Sequence, residues 1–169
     1  MQIFSQFKKA CTLTAFEMFS EKALQKVIAS TGLSRPFTSE AQYYVLAEIE
    51  IKSETDQNTA LEVFEKCLEQ GLVTDGAISQ SESQAKNFWR YREDISESLA
   101  VRSPYKNDVS VSISKVPAFI DDLEKVLTAA YPTWEVVWFG HIGDGKFNFF
   151  CRNKRYKMFI VKLYHFFRL

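Results

Sequence analysis

The stretch WEVVWFGHIGDG, Trp134–Gly145, decides how this chain is read. Its first half, Trp134–Phe139, is an apolar run of strand length. Its second half, Gly140–Gly145, holds three of the chain's six glycines and one of its two histidines. Glycine on both sides of His141 and Asp144 lets the backbone turn tightly and approach a ligand closely. A histidine at a strand end is placed to bind a metal or move a proton. On these residues alone, a plain glycine-rich turn with a satisfied histidine stays open as the other reading.

Working outward, the composition changes at Lys146. From Gly145 onward the chain carries seven basic residues (Lys146, Arg152, Lys154, Arg155, Lys157, Lys162 and Arg168) and many aromatics. All 21 acidic residues precede it, so the zero net charge hides an acidic body and a basic tail. That neutral balance argues against nucleic-acid binding that depends on overall charge. With 169 residues, 46% hydrophobic and 25% charged, the chain is long enough for one domain with a core. Cys11, Cys67 and Cys151 fit no metal-knuckle or CxxC spacing and are expected as reduced structural thiols of a cytoplasmic protein. No apolar run reaches the length of a membrane span, and the N-terminus lacks the layout of a signal peptide.

Upstream, Leu13–Ser30 reads as a helix with Ala23, Leu24, Val27 and Ile28 on its apolar face, ended by Gly32 and Pro36. Tyr43–Ile51 alternates as a half-buried strand. Asp56 is placed to cap a helix carrying Ala60, Leu61, Phe64 and Leu68, which stops at Gly71. Gln80–Val101 reads as one long helix, Lys106–Ile113 as a strand, and Pro117 opens a helix that Pro132 closes. Trp134–Phe139 is the last clear strand. The order predicts an α+β domain, an antiparallel sheet with helices packed on one face.

Two more groups carry chemistry. Arg92 and Ser96 are one helical turn apart and form a carboxylate clamp if they share a face; a solvated helix face is the alternative. Lys106, in Tyr105–Lys106–Asn107–Asp108 at a strand start, adds a second cation, or simply a solvated strand entry.

Taken together, FWRYREDISESLA, PYKNDVSVSISKVPAFIDDLEKVL and WEVVWFGHIGDG resemble the C-terminal cap domain of FAD-linked oxidases. This is the family of D-2-hydroxyglutarate dehydrogenase, D-lactate dehydrogenase and the glycolate oxidase flavoprotein subunit. The resemblance covers about residues 10–145, and the partial cap domain it implies is set at residues 1–145. It implies a ferredoxin-like cap, and it implies substrate-binding roles for Arg92, Ser96 and Lys106 toward carboxylates. It implies His141 as the first ligand of a divalent metal, typically zinc, and FAD bound by a separate N-terminal domain that these residues do not include. It implies oxidation of a D-2-hydroxy acid, D-2-hydroxyglutarate first and D-lactate second, to the 2-oxo acid.

Two departures accompany it. The family continues this motif with Asn-Leu-His, where this chain has Lys146, Phe147 and Asn148, and the later Glu-His-Gly is missing. The expectation is therefore a fragment of such an enzyme, inactive alone, with residues 146–169 an atypical tail of the composition that a shifted reading frame produces; a diverged terminal strand and helix is the alternative. The tail's cations and aromatics also suit a membrane interface. The competing functional reading is an inactive cap-like module that docks, through its exposed flavin-facing surface, with a separate FAD-domain polypeptide or another partner.

Overall fold

A computed structural model describes residues 2–100 and 104–153. Its helices are α1 (Gln2–Ala10), α2 (Glu21–Thr31), α3 (Glu54–Glu69), α4 (Glu82–Glu93), α5 (Ile95–Ala100) and α6 (Val116–Ala130). Its strands are β1 (Leu13–Ser20), β2 (Tyr43–Ile49), β3 (Tyr105–Ser110), β4 (Trp134–Gly140) and β5 (Lys146–Asn153). The strands form one sheet in the order β2-β1-β4-β5-β3, and every adjacent pair is antiparallel. Since β3 and β4 both run against β5, they are parallel to each other, and α6 makes the crossover between them.

The α+β class and the antiparallel sheet agree with the expectation, but the helices take both faces. Phe16, Met18, Val136, Trp138, Phe149 and Cys151 pack with Phe4 of α1 and Val116 and Ile120 of α6. Phe19, Val137, Phe139 and Phe150 pack the other way, with α2, α4 and α5. A strand buried on both faces reads as a continuous apolar run, and Val136–Phe139 is one. Full burial of Trp138 or Phe139 contributes about 2–3 kcal/mol each.

The same two-sided burial explains the main correction. Leu13–Ser20 is a strand, not the first half of a helix. The run has no period-2 alternation because residues Phe16 to Ser20 are all buried. Ser20 marks the boundary: its backbone is extended and its hydroxyl accepts from the Ala23 N–H, capping α2. At the next helix, Ser53 is the cap, accepting from the Asp56 N–H, while Asp56 reaches back to the Lys52 N–H. The expected long helix is divided at Asp94, whose carboxylate accepts from Arg90 Nε at 3.1 Å.

The sheet also continues through the composition change. Lys146–Asn153 pairs with β4 on one side and β3 on the other, so Trp134–Gly140 is not the last strand. Residues 154–169, with Met158, Ile160, Leu163 and the rest of the basic aromatic tail, lie outside the described residues. Among the described residues, no helix is long and apolar enough to cross a membrane. All three cysteines are free thiols, and burial pushes the Cys151 thiol up to about 12.

Gly32 and Gly145 share a left-handed backbone but differ in their surroundings. A Cβ at Gly145 (φ +77°) would stand 2.2 Å from the Val111 carbonyl oxygen, whereas one at Gly32 (φ +71°) meets nothing within 4 Å. Gly32→Ala should therefore cost about 1 kcal/mol and Gly145→Ala about 3 kcal/mol in urea denaturation. Equal losses would contradict the close packing of the β4–β5 turn on the segment after β3.

Candidate functional site

Residues Gly140–Gly145 join β4 to β5 through a single 3-10 turn, Ile142–Asp144. The turn closes on itself: the His141 carbonyl accepts from the Lys146 N–H at 3.1 Å, and Gly145 N–H donates to the Ile142 carbonyl at 3.3 Å. Asp144 accepts from the Lys146 backbone at 3.0 Å and from its ammonium at 3.2 Å. Slight burial, which would raise the Asp144 carboxyl, is outweighed by these bonds and by His141, so it is held below its usual range. The Lys146 ammonium is paired locally with Asp144.

The centre of the site is a residue that sequence reading missed. Glu17 of β1 is 1% exposed, in the apolar run TAFEMF. One of its oxygens accepts from Arg92 Nε at 2.7 Å, and the other meets His141 Nδ1. The ladder explains the meeting: Met18 pairs with Gly140, so the next step outward places Glu17 beside His141. Arg92 comes from α4, whose neighbouring side chains anchor it: the Trp89 indole donates to Glu48 at 2.9 Å and the Tyr91 hydroxyl to the Ser34 carbonyl at 2.8 Å. Arg92 is itself largely buried and lies over the Phe139 ring at 5.0 Å.

The four expected residues are thus placed unequally. Arg92 and His141 converge on Glu17. Lys106 is exposed on β3, its ammonium 5.4 Å from the Phe150 ring, which packs edge-to-face on Phe139. So the two cations lie over adjoining rings on one sheet face. Ser96 is exposed on α5, beyond the Asp94 break, so the one-helix face it was expected to share with Arg92 is interrupted. Glu17 and His141 also border a cleft of about 590 Å³ that Lys8, Cys11, Glu48 and Trp89 help to line.

A catalytic zinc takes three protein ligands. Among the described residues no group of three metal donors forms. Among the described residues, the carboxylate bonded to the His141 ring is that of Glu17, and it is already held by Arg92. The donor set present does not fit a metal centre. Nor does the glycine-rich segment fit a dinucleotide: it links strand to strand, so it presents no helix N-terminus to a pyrophosphate.

The Arg92–Glu17 pair makes a stability prediction. Arg92→Met leaves a buried carboxylate without its cation and should cost about 3–5 kcal/mol in denaturant unfolding. Replacing both partners, Glu17→Leu with Arg92→Met, should recover most of that loss. A single variant as stable as the wild type would show that the pair is not buried in solution.

With this geometry in view, comparison with known proteins places the chain. Residues 1–157 match the family described as FAD linked oxidases, C-terminal domain. The chain is 47% identical over 145 residues to D-2-hydroxyglutarate dehydrogenase of Stutzerimonas stutzeri, covering 86% of this chain and 31% of that protein. It is 50% identical over 145 residues to D-2-hydroxyglutarate dehydrogenase of Xanthomonas citri, covering 86% of this chain and 30% of that protein. The mitochondrial D-2-hydroxyglutarate dehydrogenase of Arabidopsis thaliana is 36% identical over 136 residues, covering 79% of this chain and 24% of that protein. The chain thus spans under a third of the length of these curated relatives. On the match across residues 1–157, the chain belongs to the family of FAD-linked oxidase C-terminal domains.

Proposed function

We propose that this chain supplies the substrate side of a flavin-dependent dehydrogenase that oxidises a D-2-hydroxy acid to its 2-oxo acid, D-2-hydroxyglutarate first and D-lactate second. The observation that carries this reading is the placement of two cations, Arg92 and Lys106, over adjoining aromatic rings on one sheet face, with His141 joined to Arg92 through Glu17. The names of the relatives point to the same substrate.

The chemistry assigned to this chain is binding and orientation. Arg92 uses Nε–H on Glu17, and the four N–H groups of its terminal nitrogens are the donors a substrate carboxylate would take. Lys106 adds a point charge on a flexible stem. Two separated cations suit a substrate with two carboxylates, which is why the five-carbon diacid is placed before lactate. Ser96, one turn beyond Arg92 in sequence, is assigned an assisting role at the carboxylate. His141 offers an exposed imidazole to the hydroxyl that loses its proton. The flavin of this family takes up the electrons in such an oxidation, and no part of its binding is assigned to these residues. The resemblance would make His141 a metal ligand, but among the described residues no group of three metal donors forms around it.

The second reading, a non-catalytic module docking through an exposed apolar face, gains little from the surface. Among the described residues, the exposed large apolar side chains Val45, Ile51, Leu68, Ile78 and Val126 are scattered over separate segments.

Calorimetric titration of the chain tests the proposal. D-2-hydroxyglutarate should bind more tightly than D-lactate, and Lys106→Met, an exposed substitution that leaves the core alone, should weaken the diacid about 10-fold or more. The chain alone should not reduce dichlorophenolindophenol with either acid. Equal affinity for the two acids, unaffected by Lys106→Met, would contradict the two-cation reading.

A further inference from the structure

We infer that Glu17 is a positioning residue, which holds the His141 ring as its Nδ1–H tautomer and so leaves Nε2 as the free lone pair of the site. A carboxylate accepts hydrogen bonds and donates none. Each Glu17 oxygen has its own partner, Arg92 Nε on one and His141 Nδ1 on the other. With one oxygen taken by the guanidinium as a carboxylate acceptor, the other faces Nδ1 as an acceptor too, so that nitrogen carries the proton. A neutral imidazole has one N–H. Fixing it on Nδ1 strips it from Nε2.

Burial makes this selection effective. The Glu17 side chain is 1% exposed, so water does not compete for its oxygens, while the His141 side chain is 64% exposed. The inner nitrogen is anchored and the rest of the ring faces outward. Among the described residues, the charges around the ring are engaged elsewhere: Asp144 of the turn by the backbone and ammonium of Lys146, Arg92 of α4 by Glu17, Glu48 of β2 by the Trp89 indole, and Lys8 of α1 over the Phe4 ring. The partner of a ring nitrogen sets which nitrogen is available for chemistry. Glu17 also links the two halves of the site, since the oxygen that orients His141 belongs to the carboxylate that orients Arg92.

The tautomer follows from this geometry alone. What Nε2 then does, whether it takes the proton of a hydroxyl or meets another group, rests on the proposed function.

The test is long-range ¹H–¹⁵N correlation of the imidazoles in the ¹⁵N-labelled chain, without ligand, at a pH where they are neutral. The chain has two histidines, and His165→Gln assigns the signals. His141 should show a protonated, pyrrole-type Nδ1 and a pyridine-type Nε2. In the double variant Glu17→Leu with Arg92→Met, which leaves no orphaned charge, that pattern should give way to the Nε2–H form favoured by exposed imidazoles. A wild-type His141 that is mainly Nε2–H overturns the inference whatever the variant does, and so does a folded double variant with an unchanged pattern. Because no ligand is present, failure of D-2-hydroxyglutarate to bind would count against the proposed function and leave this assignment standing.

Discussion

A carboxylate with 1% exposure in the middle of an apolar strand is the constraint on which this site depends. Removing a carboxylate from water costs several kcal/mol even after relaxation. Glu17 can be tolerated only with its charge matched and both oxygens bonded, and Arg92 and His141 do this from two other parts of the chain. The need for a cation pulls α4 onto β1. The need for a second donor draws in the turn after β4. One desolvated charge therefore organises a helix, a strand and a hairpin around itself.

The hairpin has its own requirements, and they reach Lys106. β3 pairs with β5, and β5 with β4, so the lysine's strand is held to the rest of the sheet through residues that begin at Lys146. The turn between β4 and β5 lies so close to the Val111 carbonyl that Gly145 has no room for a side chain. Tightness at that turn sets the register that puts Phe139 opposite Asn148 and Phe150 opposite Lys106. The cation over Phe150 and the one over Phe139 are thus spaced by strand geometry, not by direct contact. On the far side of the same face, the bidentate Arg35–Glu21 pair, with Tyr44 donating to Glu21 at 2.6 Å, ties down the connection that leads from α2 to β2.

Much of this was legible in the sequence. The helix α6 behind Pro117 and the strand Trp134–Phe139 follow from spacing, the cap family came as a resemblance carried by its motifs, and Arg92 and His141 were identified individually. The two missed strands share one cause. A strand covered on both faces loses the alternation by which strands are recognised, so Leu13–Ser20 merged with the helix behind it. In a helix, Glu17 is an unremarkable polar position; in a doubly buried strand it must have charged partners. The signal was available as one acid inside LTAFEMF with Ser20 as a helix cap. Likewise, composition suggested a break at Lys146, but a buried strand depends on where Phe149, Phe150 and Cys151 point rather than on the sign of nearby charges.

The account stands or falls on whether Glu17 assembles the site. The direct measurement is a crystal structure of the Glu17→Leu variant beside that of the wild-type chain. Leucine suits the apolar strand position and accepts no hydrogen bond, so neither Arg92 nor His141 keeps its partner there. The account predicts an unchanged sheet register with at least one of those two side chains swung away. Both side chains holding their wild-type positions in the variant would show that the surrounding fold places them, and that Glu17 does not.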